Sequence, residues 1–575
     1  MPEAVRLVIW DLDDTLWKGT LIEGAIARVP ETEAIVKELA RRGIMSAICS
    51  RNDLAQVRNL LAADGLWDYF VFPSVSWDPK GPRIRSLVED AQLRPGAVLF
   101  IDDNPSNLEE AKYCCPGIQT AGVDVIPGLL SNPLLEGKDD AALTRLQQYK
   151  ALEHRRADLS SNAAGVEAFL RHSNIRVHIQ FDLSNSLARV IELINRTNQL
   201  NFTKRRLPED AAAAHAELEE LLQSHEIQAG LLHVADRYGD HGNSGFYMLR
   251  NGNELLHFCF SCRIIGMGIE TWLYRKLGRP QLKIVGDVLS NPVRDTREID
   301  WISLRDSSDC QPESREPQPF DWVAARGGCD LQALSHYFHV SSAKVFGEFN
   351  VGRNGFDARV DHSIFLRYAV AAPSHSTIIE AAKLGYRPED FRSVLTGPRG
   401  GAGLVILSCW ADASYALYRH KQTGLLLPFA VSGRSNHTLD ARTATPAELP
   451  EPLRRGWMAS ALETLKNGYD FVGVIDEDLF KENLRTILAA LPAEVPVLLL
   501  QANTRLWDSQ QGVTHTSTDN LRFNRWLAEV ASEFPTANVM DIRKAIHSES
   551  EVLDWSHFDR IVYYRLYGQI RAGMR

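Results

Sequence analysis

Two aspartates near the start of the chain, Asp11 and Asp13, stand one residue apart directly after an apolar run. The run, residues 7–10, predicts a buried strand, and its end projects both carboxylates from one edge of the sheet. Such a pair suits metal-assisted phosphoryl chemistry. The first carboxylate can attack phosphorus and the second can handle the proton, while both help to hold Mg²⁺. By itself the motif is a weak signal, so its partners decide its meaning.

Three further features follow at workable spacing. A second apolar run ends in Ser50, Lys80 stands just before a helical pattern, and a third apolar run ends in Asp102 and Asp103. Helical patterns such as residues 53–63 separate the runs, and this alternation predicts βαβ units around a parallel sheet. The chemical side chains then meet at the carboxyl ends of the strands.

Each partner has a role that its chemistry allows. Ser50 can hydrogen-bond a phosphate oxygen, Lys80 can neutralise phosphate charge, and either acid of the third run can complete a hard-oxygen shell for Mg²⁺. Thr15 and Asn52 are predicted to contact the substrate. Any one of these residues could equally be a polar cap at a strand end, but the ordered set favours chemistry.

The ordered set resembles the haloacid dehalogenase (HAD) phosphatase superfamily over residues 5–125. The resemblance implies that Asp11 is the nucleophile, through an aspartyl-phosphate, and that Asp13 is the general acid and base. About 40 residues separate Asp11 from Ser50 and about 30 separate Ser50 from Lys80, which leaves no room for a lid domain. An open site suits a phosphate carried on a bulky partner.

Composition limits the class of protein. A chain of 575 residues predicts three or four domains, and 45% hydrophobic with 24% charged residues is ordinary for soluble proteins. A net charge of −10 argues against nucleic acid as the main partner. No run is long enough to span a membrane, and the charged start does not resemble a signal peptide. Eight scattered cysteines predict thiols in a reducing cytoplasm.

Two breaks divide the chain. Residues 126–160 form a connector with a helical pattern, and the polar, proline-bearing segment 307–324 is predicted to be a linker. The predicted domains are therefore 1–125, 161–306 and 325–575.

The middle domain contains a CxxC pair, Cys259 and Cys262. The sequence argues against both zinc binding and dithiol chemistry. No second CxxC exists, and an extended segment points the two thiols to opposite faces. Cys259, flanked by phenylalanines, is predicted to be a small buried hydrophobe. Cys262 lies beside Arg263 and ahead of a turn that starts a helix, and both features favour a thiolate nucleophile. A buried hydrophobe remains the alternative for Cys262, and Arg263 is predicted to bind substrate.

A nucleophilic thiol needs a base, and His241 and His257 are the candidates. Asn198, Asn201 and Asp240 are predicted to bind substrate. The alternative for these polar residues is turn formation and loop capping, which asparagine and aspartate serve well.

A second, more specific resemblance rests on three motifs. They are Asp-Leu-Asp-x-Thr-Leu-Trp at 11–17, Asn-x-Thr-Asn-Gln-x-Asn at 195–201 and Ser-Cys-Arg-x-x-Gly at 261–266. Together they resemble the FkbH-like family over residues 5–305, in which an uncapped HAD phosphatase is fused to a GNAT-like α+β acyltransferase domain. The resemblance implies an enzyme that takes the glyceryl unit of 1,3-bisphosphoglycerate, removes phosphate and leaves a glyceryl thioester on an acyl carrier protein for polyketide biosynthesis.

The implied reaction has three steps. Cys262 attacks the acyl phosphate, the remaining phosphate ester is hydrolysed at Asp11 with Mg²⁺, and the phosphopantetheine thiol of the carrier takes the acyl group. Two alternatives stay open: a HAD phosphatase acting on a free small metabolite, in which Cys262 is structural, and a scaffold that docks a carrier protein.

Apolar runs separated by helical patterns predict another α/β sandwich, mainly parallel, for residues 325–575. The runs, which are predicted to be buried strands, are 343–347, 404–407, 495–500 and 538–540, and residues 455–466 and 519–534 are predicted to be helical. Asp554 and His557 resemble the Asp-x-x-His block of SGNH hydrolases, and Asn503 stands where that family places an oxyanion-hole residue. The first predicted strand leads to no serine, and Ser408 lacks the expected glycine context. These features predict a degenerate SGNH-like domain; the alternative is that Asp554 and His557 cap a helix.

Overall fold

The computed structural model describes residues 3–24, 26–161, 166–306, 319–328, 330–341, 343–353, 356–358, 360–371, 373–397, 399–430, 437–445, 457–508 and 513–573. Three five-stranded sheets follow one another along the chain. The first and third are wholly parallel, and the second is mixed. The predicted α/β class with parallel sheets is therefore confirmed.

The first unit is a parallel sheet with helices on its faces. Its strands are β1 (Leu7–Trp10), β2 (Met45–Ser50), β3 (Ser74–Val75), β4 (Val98–Ile101) and β5 (Gln119–Ala121), and its helices are α1 (Pro30–Arg41), α2 (Leu54–Ala63), α3 (Lys80–Asp90) and α4 (Pro105–Cys114). The sheet order is β3-β2-β1-β4-β5, so β1 is central. Its four residues are fully buried, because helices cover both faces, and this explains the unbroken apolar run.

Connections between the catalytic strands are short. From Asp11 to Ser50 the chain forms a 3₁₀ turn and α1, and from Ser50 to Lys80 it forms α2, a 3₁₀ turn and β3. Within residues 3–24 and 26–161, no separate domain is inserted at either point. The described part of this unit thus agrees with the predicted absence of a lid domain.

The connector helix α5 (Thr144–Ser161) packs on the first unit, because Leu146 and Leu152 join one of its apolar clusters. The second unit follows as α6 (Val166–His172), β6 (Ile175–Gln180), α7 (Leu187–Arg196), α8 (Ala211–Gln223), β7 (Ile227–Ala235), β8 (Asp240–Arg250), β9 (Glu254–Phe260), α9 (Ile269–Lys276) and β10 (Ile302–Arg305). Its sheet order is β10-β6-β7-β8-β9, antiparallel except for the β10–β6 pair. The unit is α+β, as the sequence predicts.

The third unit begins with β11 (Trp322–Gly327), α10 (Asp330–Val340), β12 (Lys344–Phe349), β13 (Val351–Arg353), β14 (Phe356–Ala358), α11 (Ser363–Ala371), α12 (His375–Ala382), β15 (Gly403–Ser408), β16 (Leu417–His420) and β17 (Leu426–Pro428). It continues with α13 (Trp457–Gly468), β18 (Tyr469–Gly473), α14 (Glu477–Ala490), β19 (Val497–Gln501), β20 (Arg505–Asp508), β21 (Val513–Thr516), α15 (Thr518–Ala531), β22 (Ala537–Asp541) and α16 (Arg560–Gly573). The parallel sheet has the order β12-β11-β15-β19-β22.

This sheet corrects three predictions. Its first strand is β11, not the run 343–347, and it starts inside the segment 307–324 that was predicted to be a linker; residues 307–318 of that segment lie outside the described residues. The runs at 343–347 and 538–540 form the edge strands β12 and β22, which are half-buried or exposed rather than buried. The predicted helix at 455–466 corresponds to α13, and its first two residues are also outside the described part.

Short elements complete the third unit: the pairs β13–β14 and β20–β21 and the three-stranded sheet β17-β16-β18. The 3₁₀ helices within the described residues are Leu21–Glu23, Trp67–Tyr69, Pro95–Ala97, Val123–Ser131, Pro133–Leu135, Cys262–Ile264, Pro388–Phe391, Trp410–Ala413, Ala441–Thr443, Ile542–Ala545 and Glu549–Glu551.

The second and third units share one apolar cluster. Buried polar contacts cross it: the Tyr247 hydroxyl and His336 Nε2 are 2.9 Å apart, and Arg560 donates to the Phe181 carbonyl at 2.8 Å. The described cysteines, six in number, are all free thiols. None of the described helices combines the length and the apolar character that crossing a membrane requires.

Candidate functional site

The predicted phosphoryl site assembles at the carboxyl edge of the first sheet. Asp11 follows β1, Ser50 ends β2, Lys80 starts α3 and Asp102 follows β4. All four side chains are buried, and the site thus forms at the edge where the βαβ pattern predicted it.

Lys80 bridges two carboxylates. Its ammonium lies 2.7 Å from an oxygen of Asp11 and 2.7 Å from an oxygen of Asp102. Burial opposes the charge on Lys80, but the two acids raise its pKa. Burial also raises the pKa of Asp11 to about 6, and Asp102 adds to this while Lys80 opposes it. Asn107, which sequence reasoning missed, donates to Asp102 at 2.9 Å and fixes its orientation.

A metal ion fits beside this pair. Carboxylate oxygens of Asp11, Asp102 and Asp103 lie within 4.8 Å of one another, which makes them the one such group of metal-binding side chains in the described part of the chain. An all-oxygen set of this kind matches hard divalent cations such as Mg²⁺. The buried Thr15 hydroxyl has no hydrogen-bond partner among the described residues, which leaves it available to a ligand.

The carboxylate of Asp13 does not join the metal group, which corrects one predicted ligand. Its oxygens accept hydrogen bonds from Trp17 Nε1 at 3.0 Å, from the Leu21 amide at 3.1 Å and from Asn52 Nδ2 at 3.0 Å. Asn52 also donates to the Ser50 hydroxyl at 3.1 Å. These hydrogen bonds fix the orientation of the Asp13 carboxylate, and Asn52 contacts both Asp13 and Ser50.

A second site lies at the opposite, amino edge of the same sheet. There a cavity of about 190 Å³ opens between the first unit, α5 and the second unit. We call it the arginine cavity; its charged and reactive lining residues are Arg6, Arg145, Arg189, Arg196, Arg263, Glu192, His241 and Cys262. Sequence reasoning found Cys262, Arg263 and His241 but missed the other arginines, because they are scattered over nearly 200 positions of the chain and only the fold collects them.

Cys262 is half-buried in this cavity, and its thiol lies 3.8 Å from the amide oxygen of Gln199. It starts a 3₁₀ turn, while helix α9 begins only at Ile269, so the predicted helix N-terminus is not beside it. Burial raises the pKa of Cys262, although Arg6 and Arg263 oppose the rise. The raised pKa argues against the thiolate that the sequence favours, and a protonated thiol needs a base to react. Cys259 is fully buried, as predicted, and burial raises its pKa to about 12.

His241, the predicted base, lines the same cavity. Its Nε2 lies 3.2 Å from a carboxylate oxygen of Asp236, a residue to which sequence reasoning assigned no role. Burial opposes the ionised form of Asp236, but the contact with His241 lowers its pKa. Cys262 and His241 thus line one cavity, and Asp236 lies beside His241. His257 is buried outside the cavity, and burial lowers its pKa to about 4, so the prediction of a base role fails for it.

Three predicted substrate contacts lie away from this cavity. Asn201 is buried and donates to the Ile194 carbonyl at 3.1 Å, which is a loop-bracing role. Asn198 is exposed and accepts from Lys204 at 3.0 Å. Asp240 pairs with His233 at 3.1 Å rather than with His241. The alternative of loop and turn formation describes these residues better.

In the third unit, Asp554 and His557 are in contact at 2.7 Å, and His557 stacks on His225 of the second unit with ring centroids 4.0 Å apart. Burial opposes the ionised form of Asp554, yet the bond to His557 lowers its pKa to about 2. They do not cap α16, because Asp559 accepts the Ile561 amide. The helix-cap alternative is therefore wrong.

Asn503 is not grouped with this pair. Its amide donates to the Arg505 carbonyl at 2.5 Å, and it lines a separate cavity whose lining includes neither Asp554 nor His557. Ser408 is buried at the end of β15, where its hydroxyl accepts from the Gly328 amide at 3.3 Å. The predicted remnant thus comes together in part.

The true first strand of this unit escaped detection because β11 contains a charged residue. Arg326 is 1% exposed, and its guanidinium donates to the Val360 carbonyl at 2.8 Å and to Glu348 at 2.7 Å. A buried arginine of this kind breaks the apolar pattern by which strands are found. Strand β11 leads through Gly328 to Cys329, which lies outside the described residues.

No protein-family model and no curated protein sequence matches the chain. Among solved structures, the N-terminal part of the protein BF1531 from Bacteroides fragilis, which contains a phosphatase domain and is complexed with Mg, is 22% identical; the match covers 24% of this chain and 42% of that chain, with a TM-score of 0.21. A 3-deoxy-D-manno-octulosonate 8-phosphate phosphatase from Moraxella catarrhalis, in complex with magnesium, phosphate and KDO, is 14% identical over 28% of this chain and 94% of that chain, with a TM-score of 0.17.

The cobalt-bound deoxy-D-mannose-octulosonate 8-phosphate phosphatase from Haemophilus influenzae is 18% identical over 28% of this chain and 96% of that chain, with a TM-score of 0.18. This chain thus spans less than half of the first of these structures. Because these matches are so limited, the chemistry of the chain is inferred from its own geometry.

Proposed function

We propose that the chain is a Mg²⁺-dependent phosphatase of the HAD type coupled to an acyl transferase, of the kind that its resemblance to the FkbH-like family implies. The observation that carries the phosphatase half is the Lys80 ammonium held at 2.7 Å from both Asp11 and Asp102 beside a three-carboxylate group. When bound there, Mg²⁺ neutralises phosphate charge and orients the phosphorus for attack.

The residues of the first site then divide the reaction. An oxygen of Asp11 attacks phosphorus and forms an aspartyl-phosphate while the ester oxygen leaves. Asp13 gives that oxygen a proton, and later takes one from the water that hydrolyses the aspartyl-phosphate. Ser50 and Lys80 hold the phosphate oxygens throughout.

The transferase half rests on the arginine cavity. His241, oriented by Asp236, takes the proton of the Cys262 thiol, and the sulfur attacks the acyl carbon of an acyl phosphate. The carbon–sulfur bond forms as the carbon–oxygen bond breaks, and inorganic phosphate leaves. By resemblance the donor is 1,3-bisphosphoglycerate, so the product is a phosphoglyceryl thioester, and a carrier thiol displaces Cys262 from it.

The two sites lie at opposite ends of β1, which bears on the order of steps. Arg6 precedes this strand and Asp11 follows it, so their backbones lie roughly 16 Å apart at 3.3 Å per residue. Helix α3 also separates the two sites. Lys80 starts this helix at the first site, and Gln92, just past its end, lines the arginine cavity. A phosphoglyceryl unit on Cys262 reaches roughly 7 Å through its five bonds to phosphorus.

Transfer to the carrier therefore precedes dephosphorylation, which is the reverse of the order that the family resemblance implies. The carrier takes the phosphoglyceryl unit first, and its phosphopantetheine arm presents the phosphate to the open site at Asp11. Transfer of the glyceryl unit to an acyl carrier protein in polyketide or related biosynthesis completes the proposed function.

Intact-mass analysis after incubation with 1,3-bisphosphoglycerate tests both halves. We expect a three-carbon adduct on the wild-type chain that is absent in Cys262→Ala and retained in Cys114→Ala, a matched half-buried thiol in the first unit. With a holo carrier protein present, release of the ester phosphate should fall about 10³-fold or more in Asp11→Asn, and EDTA should abolish it.

The outcomes separate the alternatives. Phosphate release that depends on Mg²⁺ and Asp11, without an adduct, would support a phosphatase acting on a free metabolite and leave Cys262 structural. Neither an adduct nor phosphate release would support a carrier-docking scaffold. An adduct that survives in Cys262→Ala would contradict the assignment of the nucleophile.

A further inference from the structure

The charges around the arginine cavity do not balance. Five arginines line it against one carboxylate, Glu192. Glu192 is already shared, since it pairs with Arg189 at 2.7 Å and with Arg196 at 3.1 Å. The described residues supply no ion pair for Arg6, Arg145 or Arg263.

The contacts of the uncompensated arginines are neutral. Arg145 donates to the Gly43 carbonyl at 3.0 Å, and Arg263 donates to Gln148 at 3.1 Å. Burial lowers the pKa of Arg263 to about 10, and repulsion from Arg189 and Arg145 adds to this. Guanidinium groups held together in a partly buried space without counter-charges destabilise one another, and an anion would relieve that cost.

The cavity also limits the ligand. Its volume of about 190 Å³ and its walls of Tyr149, Leu93 and Leu152 suit a small anion with a short carbon chain rather than a nucleotide. Guanidinium groups match phosphate oxygens in pairs, which a compact ammonium does not. The Cys262 thiol lines the same cavity and would lie beside that anion.

We propose that the arginine cavity is a phosphate-recognition site that binds a small phosphorylated acid, with Arg6 of the first unit and Arg145 of the connector helix completing a pocket built on Arg263 of the second unit. The proposal rests on the proposed function for the identity of the ligand as the acyl donor. The site accounts for selection of a donor that bears a second phosphate, since the arginines hold that phosphate while sulfur attacks the acyl carbon.

Protection of Cys262 from alkylation tests the site without requiring any turnover. The chain is treated with iodoacetamide at matched ionic strength, with inorganic phosphate or with potassium chloride, and labelling of Cys262 is measured by peptide mass. Phosphate bound at the first site lies at the other end of β1 and does not shield this thiol. We expect phosphate to slow the labelling of Cys262 and to leave that of Cys114 unchanged.

Variants assign the protection to the arginines. In Arg6→Gln/Arg145→Gln the phosphate concentration that gives half-protection should rise about tenfold or more, because two charge-assisted contacts are lost. It should stay unchanged in Arg41→Gln, an exposed arginine on α1. Arg6→Lys/Arg145→Lys keeps the charge and should retain part of the protection. If the double glutamine variant misfolds by circular dichroism, the wild-type comparison of phosphate with chloride still decides.

The failures are distinguishable. Equal labelling in phosphate and chloride, or equal protection in the wild type and the folded Arg6→Gln/Arg145→Gln variant, would overturn the phosphate site even if the Cys262 adduct forms. Protection that depends on these arginines, with no adduct from 1,3-bisphosphoglycerate, would keep the site and overturn the proposed donor.

Discussion

At the residue scale, His336 of the third unit makes buried contacts with the second unit. It is buried, its Nε2 lies 2.9 Å from the Tyr247 hydroxyl, and Phe181 meets it edge-on at 6.3 Å. Burial lowers the pKa of His336 to about 3, and electrostatic interactions with His339 and Arg560 add to this. The folded chain therefore keeps this imidazole neutral at pH values where an unfolded chain protonates it.

The consequence is a stability that depends on pH. Between about pH 6.5 and pH 3 the unfolded state binds a proton at His336 that the folded state does not, so stability falls as the pH falls through that window. The contribution of this residue approaches about 1.4 kcal/mol per pH unit. In His336→Gln, which keeps an acceptor for Tyr247, urea unfolding should show a flatter dependence on pH. The exposed His172→Gln should leave the dependence as in the wild type, and an unchanged slope in His336→Gln would contradict the assignment.

At the scale of the elements, Gly81 sets the distance between helices α3 and α4. A Cβ at Gly81 would lie 2.7 Å from the Cys114 sulfur and 2.9 Å from the Glu110 carbonyl oxygen. The Gly81 amide also donates to the Glu110 carboxylate at 2.9 Å. Because Gly81 follows Lys80 directly, the contact between the two helices fixes where the Lys80 ammonium stands.

Gly81→Ala should therefore force the helices apart. We expect a loss of about 1–3 kcal/mol in the free energy of unfolding and a fall in phosphatase activity larger than the loss of folded chain explains. Gly568→Ala is the matched control, because no atom lies within 4 Å of the added Cβ in α16 and the change should stabilise the helix by up to about 1 kcal/mol. Urea denaturation and phosphate release measure the two effects, and full activity in Gly81→Ala would show that the spacing does not matter.

At the scale of the whole molecule, the two sites lie at opposite edges of one sheet. The first is reached from the carboxyl ends of the strands, and the second is enclosed by α5 and the second unit. In the proposed mechanism, a phosphoglyceryl unit on Cys262 is too short to span β1, whereas a carrier arm of more than a dozen bonds extends roughly 16 Å and can move from one site to the other. This separation is the reason for the proposed order of steps.

Asp11→Asn gives the test. With 1,3-bisphosphoglycerate and a holo carrier protein, we expect phosphoglyceryl to accumulate on the carrier, with its phosphate retained, while Cys262 turns over. If dephosphorylation had to come first, the phosphorylated adduct would remain on Cys262 and the carrier would stay empty. Mass analysis of both proteins distinguishes the two results.

The sequence by itself determined the first site. Asp11, Ser50, Lys80 and Asp102 follow apolar runs or open a helix, and parallel strands with short connections can bring such positions only to one edge. The local sequence pattern was sufficient to predict this site, because each residue is placed by the end of its own strand or by the start of its own helix. The same approach missed β11, because the buried and paired Arg326 interrupts the apolar pattern of that strand.

Only the tertiary structure decided the rest. Arg6, Arg145, Arg189 and Arg263 come from different elements, and their meeting depends on how α5 and the second unit pack on the first. The same packing buries the Cys262 thiol and raises its pKa, against what its arginine neighbour predicts. Long-range burial and charge are properties of packed units, and no spacing along the chain encodes them.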